Sequence, residues 1–159
     1  MVGGFCGKKK GYVANDNFFT PKDEWASLAP YLPRDKVLWE AFYGDGKSGQ
    51  YLQELGFQVV HENEDFFQHN KGDVVVSNPP FSKKKEVLQR LYDLKKPFCL
   101  LMPYEVLFYK YFEKFRPDIS LLIPNERVSF LKDGKLTKFN FNCIWFAWRM
   151  DVPKLVFLS

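Results

Sequence analysis

Cysteine and histidine are scarce in this chain. Cys6, Cys99 and Cys143 are widely spaced and odd in number, no Cys-x-x-Cys pair occurs, and only His61 and His69 could join them as ligands. Neither a disulfide framework nor a zinc site is expected, so no metal is assigned. Long apolar runs are missing as well: nothing approaches the roughly 18 residues that a membrane span needs. Lys8, Lys9 and Lys10 are followed by no apolar stretch of secretory-signal type, and Val2 does not suit myristoylation. These absences point to an intracellular, reducing location with no membrane partner. The chain also shows no repeat, low-complexity tract or internal linker. Its 159 residues suit one domain, expected over residues 17–159 behind a basic flexible arm at 1–16.

What is present is a core. Hydrophobic residues make up 46% of the chain and aromatic residues 18%, with 17 Phe, which excludes disorder. The net charge of +4 permits a polyanionic partner without requiring one. The three-lysine arm reads first as solvated chain, with nucleic-acid contact as the second reading.

Order is expected from Asn17. Thr20 is placed to cap a helix from Pro21 to Leu32, with Asp23 and Glu24 in its first turn and Trp25, Leu28, Ala29 and Leu32 on one face. Lys36 to Glu40 reads as a strand closed by a glycine-rich turn, a helix runs through Tyr51 to Leu55, and Phe57 to His61 is the second strand. Three consecutive valines in Asp73 to Ser77 mark a strand buried on both faces, as in a parallel sheet. A helix from Lys83 to Leu94, a strand from Phe98 to Met102, and an aromatic core face at Tyr104, Phe108, Phe112 and Phe115 follow. The last third offers strands at Ile119 to Ile123 and Cys143 to Arg149, with a hairpin turn at Asp133-Gly134 between them. The expected class is α/β: a mostly parallel mixed sheet with helices on both faces and a C-terminal antiparallel pair.

Two loops carry chemistry. After the valine strand comes Asn78-Pro79-Pro80-Phe81. Two prolines supply no backbone N–H, so the carbonyls of this turn have no local donors, at the strand edge where ligands of open α/β sheets bind. After the first strand, Gly44-Asp45-Gly46-Lys47-Ser48 looks like a phosphate loop. The first glycine of that pattern would be residue 41, which is alanine, and Glu40 would repel a phosphate. A strand-end carboxylate beside close-approach glycines instead suits a cationic ligand.

Taken together, Glu40-x-Phe42-x-Gly44-x-Gly46 resembles the first motif of class I S-adenosylmethionine-dependent methyltransferases. Asn78-Pro79-Pro80-Phe81 resembles the catalytic motif of those that methylate exocyclic or amide nitrogens, above all adenine N6. Phe19-Thr20-Pro21 is similar to the cofactor motif that comes first in one adenine-N6 DNA methyltransferase subgroup. The resemblance implies a Rossmann-like fold and S-adenosylmethionine as cofactor. Phe19, Thr20, Gly44 and Gly46 would border the cofactor, with Phe42 and Asn78 beside them, and Glu40 would take its ammonium. Glu62, or Glu64, would bind the ribose, and Asp65-Phe66 would contact the adenine. Asn78 and Pro79 would accept the protons of the target amine, and Phe81 would stack on the base. Only eleven residues, Glu62 to Gly72, separate the second strand from the catalytic one, so a reduced third strand is expected.

Lys83, Lys84 and Lys85 lie where phosphates beside a flipped base would pass, although a solvated lysine face reads almost equally well. Arg127 and the hairpin are either a substrate contact or edge protection. The resemblance implies methyl transfer to adenine N6 in nucleic acid, DNA favoured over RNA. A guanine-N2 or adenine-N6 RNA methyltransferase, a glutamine-N5 protein methyltransferase and a silent nucleic-acid-binding scaffold stay open. About ten residues follow the last strand, so no target-recognition domain is expected. Specificity would then come from the hairpin, the arm, a homodimer or a specificity subunit.

Overall fold

A computed structural model describes residues 18–137 and 142–159. The arm at 1–16 lies outside the described residues. The first helix among the described residues, α1, runs Lys22–Leu28 and buries Trp25 and Leu28, one turn apart. Its cap position is Pro21, with no side-chain cap bond, so the expected Thr20 cap does not form; the helix starts one residue too late for it. Nor does the α-helix reach Leu32. Pro30 has no N–H to continue the ladder, and Ala29–Tyr31 tightens into a 3-10 turn.

Strand β1 (Val37–Trp39), helix α2 (Lys47–Glu54), strand β2 (Gln58–Val60), strand β3 (Val74–Ser77), helix α3 (Lys84–Asp93) and strand β4 (Phe98–Pro103) follow in alternation. Then come β5 (Ile119–Ile123), β6 (Phe130–Lys132), β7 (Lys135–Thr137), β8 (Cys143–Trp148) and β9 (Leu155–Phe157). Seven strands form one sheet in the order β2-β1-β3-β4-β8-β5-β9. β2, β1, β3 and β4 are mutually parallel, β8 is antiparallel between β4 and β5, and β9 joins β5 in parallel at the edge. That order, with an antiparallel strand inserted between β4 and β5, is the Rossmann-like methyltransferase fold without its third strand. β9 carries no clear signal in the sequence.

All four residues of β3 are buried, as a strand packed on both faces requires. On one face, α1 and α2 place Trp25, Leu28 and Leu52 against Trp145 of β8, and the Trp25 and Trp145 rings meet edge-on at 5.2 Å. Such a pair adds about 0.5–1.5 kcal/mol beyond its burial. On the other face, α3 contributes Val87, Leu88 and Leu91 to a layer with Phe98, Phe112, Phe115 and Trp148.

The segment after β4 is not one helix. Two 3-10 stretches, Tyr104–Phe108 and Lys110–Asp118, meet at Tyr109, whose backbone is extended (φ −78°, ψ 142°). This break overturns half of the expected aromatic core face: Phe112 and Phe115 are buried, whereas Tyr104 is 42% and Phe108 74% exposed. Helical spacing places residues on one face only while the helix is continuous.

Between β2 and β3 the described chain forms no strand, only a 3-10 turn at Phe66–Gln68. Side chains stitch the short connection in its place. Arg90 of α3 donates to the carbonyls of Phe66 (3.1 Å) and His69 (2.7 Å). Lys96 donates to Asn70 Oδ1 at 2.8 Å and to the Gly72 carbonyl. The pair β6–β7 forms a separate ribbon, tied to the N-terminal strip by reciprocal Phe19–Leu131 backbone bonds of 2.8 and 2.7 Å. No helix among the described residues is long and apolar enough to cross a membrane.

Candidate active site

Parallel pairing brings the C-terminal ends of β1, β2, β3 and β4 to one edge of the sheet, and the loops singled out above all leave from there. Asn78 follows β3 directly. Its Nδ2 donates to the Phe18 carbonyl at 3.4 Å, while Oδ1 is buried and has no partner. Pro79 and Pro80 beside it are buried. The amide therefore presents a desolvated acceptor on a rigid turn. A buried acceptor left unmade costs about 1–3 kcal/mol, and a ligand donor would recover it.

The N-terminal strip folds back onto the same edge. Phe18 meets Asn78, and the Phe19 ring lies against the glycine loop: a Cβ on Gly44 would come within 3.1 Å of Phe19 Cε1, at a backbone φ of +60° that favours glycine. Thr20 is 2% exposed and its hydroxyl is a second buried group without a partner. Phe19, Thr20, Gly44 and Asn78 are thus brought together although 57 residues separate Thr20 from Asn78.

Glu40 directly follows β1 and is 1% exposed. The Phe42 N–H donates to its Oε1 at 3.1 Å, and the Ser77 hydroxyl donates to the same oxygen. Burial nevertheless dominates and pushes the carboxyl up to about 8, against the lowering effect of these two donors. Burial thus favours the protonated form of this carboxyl, and a cation placed nearby would favour the ionised one. Gly46 (φ +85°) precedes α2, and Lys47 N–H donates to Asp45 at 3.1 Å. Gly49 packs directly on His61, leaving no room for a Cβ, which would lie 2.0 Å from the ring. Tyr43 stacks on that ring at 4.7 Å. Burial lowers the His61 pKa, opposed by Asp45, and His61 Nε2 is buried without a partner.

The residues expected on the ribose and adenine side lie along the 62–72 connection. Lys71 binds Glu62 at 2.8 Å and also Glu64, and His69 Nε2 lies 3.0 Å from Glu64. One lysine thus engages both candidate carboxylates. Asp65 caps the 3-10 turn, accepting from the Phe67 N–H at 2.9 Å. Phe66 is 1% exposed, its ring against Trp39 (5.5 Å) and Phe42 (4.9 Å), which places it in the core. Phe67 beside it is half-buried.

On the other side of Asn78, Phe81 packs edge-on to Phe130 of the ribbon at 6.1 Å. Lys83 pairs with Glu86 at 3.7 Å, Lys84 donates to the Phe81 carbonyl at 2.9 Å, and Lys85 is exposed. Arg127 is exposed but lies within electrostatic reach of buried Cys143. That thiol is pushed up to about 12 chiefly by burial and then by Glu105, with Lys84 and Arg127 opposing. Glu105 Oε1 is itself buried without a partner.

Sequence reasoning missed Ser77, Phe18, His61, Lys71 and Glu105. Only Ser77 and Phe18, adjacent to residues already chosen, carried any signal. A separate cavity of about 700 Å³, bordered by Tyr31, Asp35, Asp73, Arg149 and Met150, lies at the opposite sheet edge, a strand length from Asn78.

No protein-family model matches the chain, and no curated protein does. Among solved structures, one named a "putative RNA methyltransferase", from Pyrococcus horikoshii, aligns over 92% of this chain and 91% of its own, with 17% identity and a TM-score of 0.47.

Proposed function

We propose that this chain is an S-adenosylmethionine-dependent methyltransferase acting on an exocyclic amine, adenine N6 in nucleic acid, with DNA favoured over RNA. The observation that carries the reading is the buried, unpartnered Asn78 Oδ1 on its double-proline turn. It stands at the same sheet edge as the buried, unpartnered Thr20 hydroxyl. These orphaned groups, the close approach at Gly44 and the buried Glu40 suit a polar, cationic cofactor. Phe19, Thr20, Gly44 and Gly46 would hold it, with Glu40 below. Bound there, S-adenosylmethionine would supply an electrophilic methyl group on a sulfonium.

The chain's own residues act on the amine. Its lone pair is delocalised into the ring, which makes it a poor nucleophile. Asn78 Oδ1 and the Pro79 carbonyl each accept one amine proton, which draws the nitrogen toward tetrahedral geometry and localises the lone pair. One fixed acceptor of this kind contributes about 3–4 kcal/mol, and alignment of the two reactants roughly 7–11 kcal/mol. No dedicated base is needed, because the product ammonium is acidic and loses a proton to solvent. Phe81 would stack on the target base, and the lysines from Lys83 to Lys85 would meet its phosphates. Target choice would rest on the ribbon, the arm, a homodimer or a partner subunit.

Incubation with methyl-labelled cofactor and separate single-stranded DNA, duplex DNA, RNA and protein, followed by nucleoside mass spectrometry, tests the reading. N6-methyladenine in DNA is expected. Label in RNA alone, or on guanine N2, would move the substrate to those alternatives, and no transfer to any nucleic acid would overturn the proposal. Asn78→Ala is expected to abolish transfer while cofactor affinity changes only a few-fold; equal loss of both would make Asn78 structural.

A further inference from the structure

The break at Tyr109 turns outward aromatic residues that helical spacing assigns to the core. Tyr104 and Tyr109 are each 42% exposed and Phe108 is 74% exposed. They follow β4 at the sheet edge that holds Asn78. The Tyr109 and Tyr111 rings lie 5.4 Å apart, and Tyr111 feels the charge of Glu86 in the first turn of α3. That turn also holds exposed Lys85, and Lys83 just before the helix pairs with Glu86. Lys110, exposed, stands between the two tyrosines. Exposed rings interleaved with lysines match a single nucleic-acid strand, whose bases offer π-faces and whose phosphates offer negative charge. A duplex keeps its bases stacked on one another and would leave such rings without partners.

We infer that Tyr104, Phe108 and Tyr109 form a stacking platform for the unpaired nucleotides beside the target base, so that the substrate is single-stranded or locally unpaired nucleic acid. This rests on the reading of the Asn78 loop as the transfer site, and binding tests it separately from transfer.

The test is fluorescence anisotropy with fluorescein-labelled strands of about 12 nucleotides, as single-stranded DNA, single-stranded RNA and duplex DNA. Wild-type protein is expected to bind the single strands about tenfold or more tighter than the duplex. Phe108→Ala and Tyr109→Ala are each expected to weaken single-strand binding about five- to hundredfold. Gln58→Ser, exposed at the start of β2 and so at the sheet end opposite Asn78, is expected to leave it unchanged, and thermal melts of all variants report on folding. Equal affinity for duplex and single strands, or folded Phe108 and Tyr109 variants that bind like wild type, would overturn the platform even if methyl transfer is observed. Ring-dependent single-strand binding without any methyl transfer would uphold the platform and sink the transfer reading. Comparison of the DNA and RNA arms identifies which strand it takes.

Discussion

Substitution Glu40→Gln probes the proposed cofactor pocket through stability alone. In the folded protein the Glu40 carboxyl is fully buried and its pKa rises from 4.5 to about 8, whereas in the unfolded chain it returns to the ordinary value. Between these two pH values the native state holds a proton that the unfolded state has released. Unfolding stability therefore falls as pH rises from about 4.5 to about 8, and levels off above. The full difference is on the order of 5 kcal/mol, since each pKa unit is about 1.36 kcal/mol. Glutamine is isosteric with the protonated acid, and its amide oxygen can accept from both the Phe42 N–H and the Ser77 hydroxyl, as Oε1 does now. Urea unfolding at half-unit steps from pH 5 to pH 9 should show the two proteins alike near pH 5. The glutamine variant should become the more stable by several kcal/mol near pH 8.5. All other titrating groups are shared and cancel in the difference. Binding of a cationic cofactor carries the opposite sign: an ammonium near Glu40 favours the ionised form, so the ratio of wild-type to variant affinity should rise with pH toward about 8, the titration of the ligand's own amine being common to both proteins. Parallel unfolding curves for the two proteins across this range would refute the buried-acid argument.

Two further perturbations are sharp. Gly49→Ala places a methyl 2.0 Å from the His61 ring; the overpacking should cost about 1–3 kcal/mol and displace the glycine loop, read as a lower urea midpoint together with weaker cofactor binding. Arg90→Ala leaves the Phe66 and His69 carbonyls without the guanidinium that now holds them. A loss of about 3 kcal/mol and faster amide exchange across residues 62–72 are expected, and unchanged exchange there would mean that the connection holds itself.

The strands that matter were legible because burial on both faces leaves a direct mark: Val74 to Val76 cannot alternate, and double proline can only end the strand. The glycine loop was legible for a similar reason, since Gly44 and Gly46 take positive φ values. The Thr20 cap and the aromatic helix face were misread through one kind of error. Both assumed local helical phase, and that phase was set by Pro21 and Pro30 at one place and by the extended Tyr109 at the other. The shared lysine at Glu62 and Glu64 could not be read at all, because ion pairing across the 62–72 turn depends on how that turn closes.

By itself, then, the amino-acid order determined the alternation of elements, the rigid Asn78 turn and the glycine loop. These follow from backbone restrictions and burial, which act within a few residues. Tertiary structure alone decided that Phe18 holds the Asn78 amide, that Ser77 and Phe42 bind a carboxyl whose pKa burial raises, and that Tyr104, Phe108 and Tyr109 face solvent. Each of those depends on which surfaces meet once the sheet has formed, and contacts between residues far apart in the chain leave no periodic trace in it.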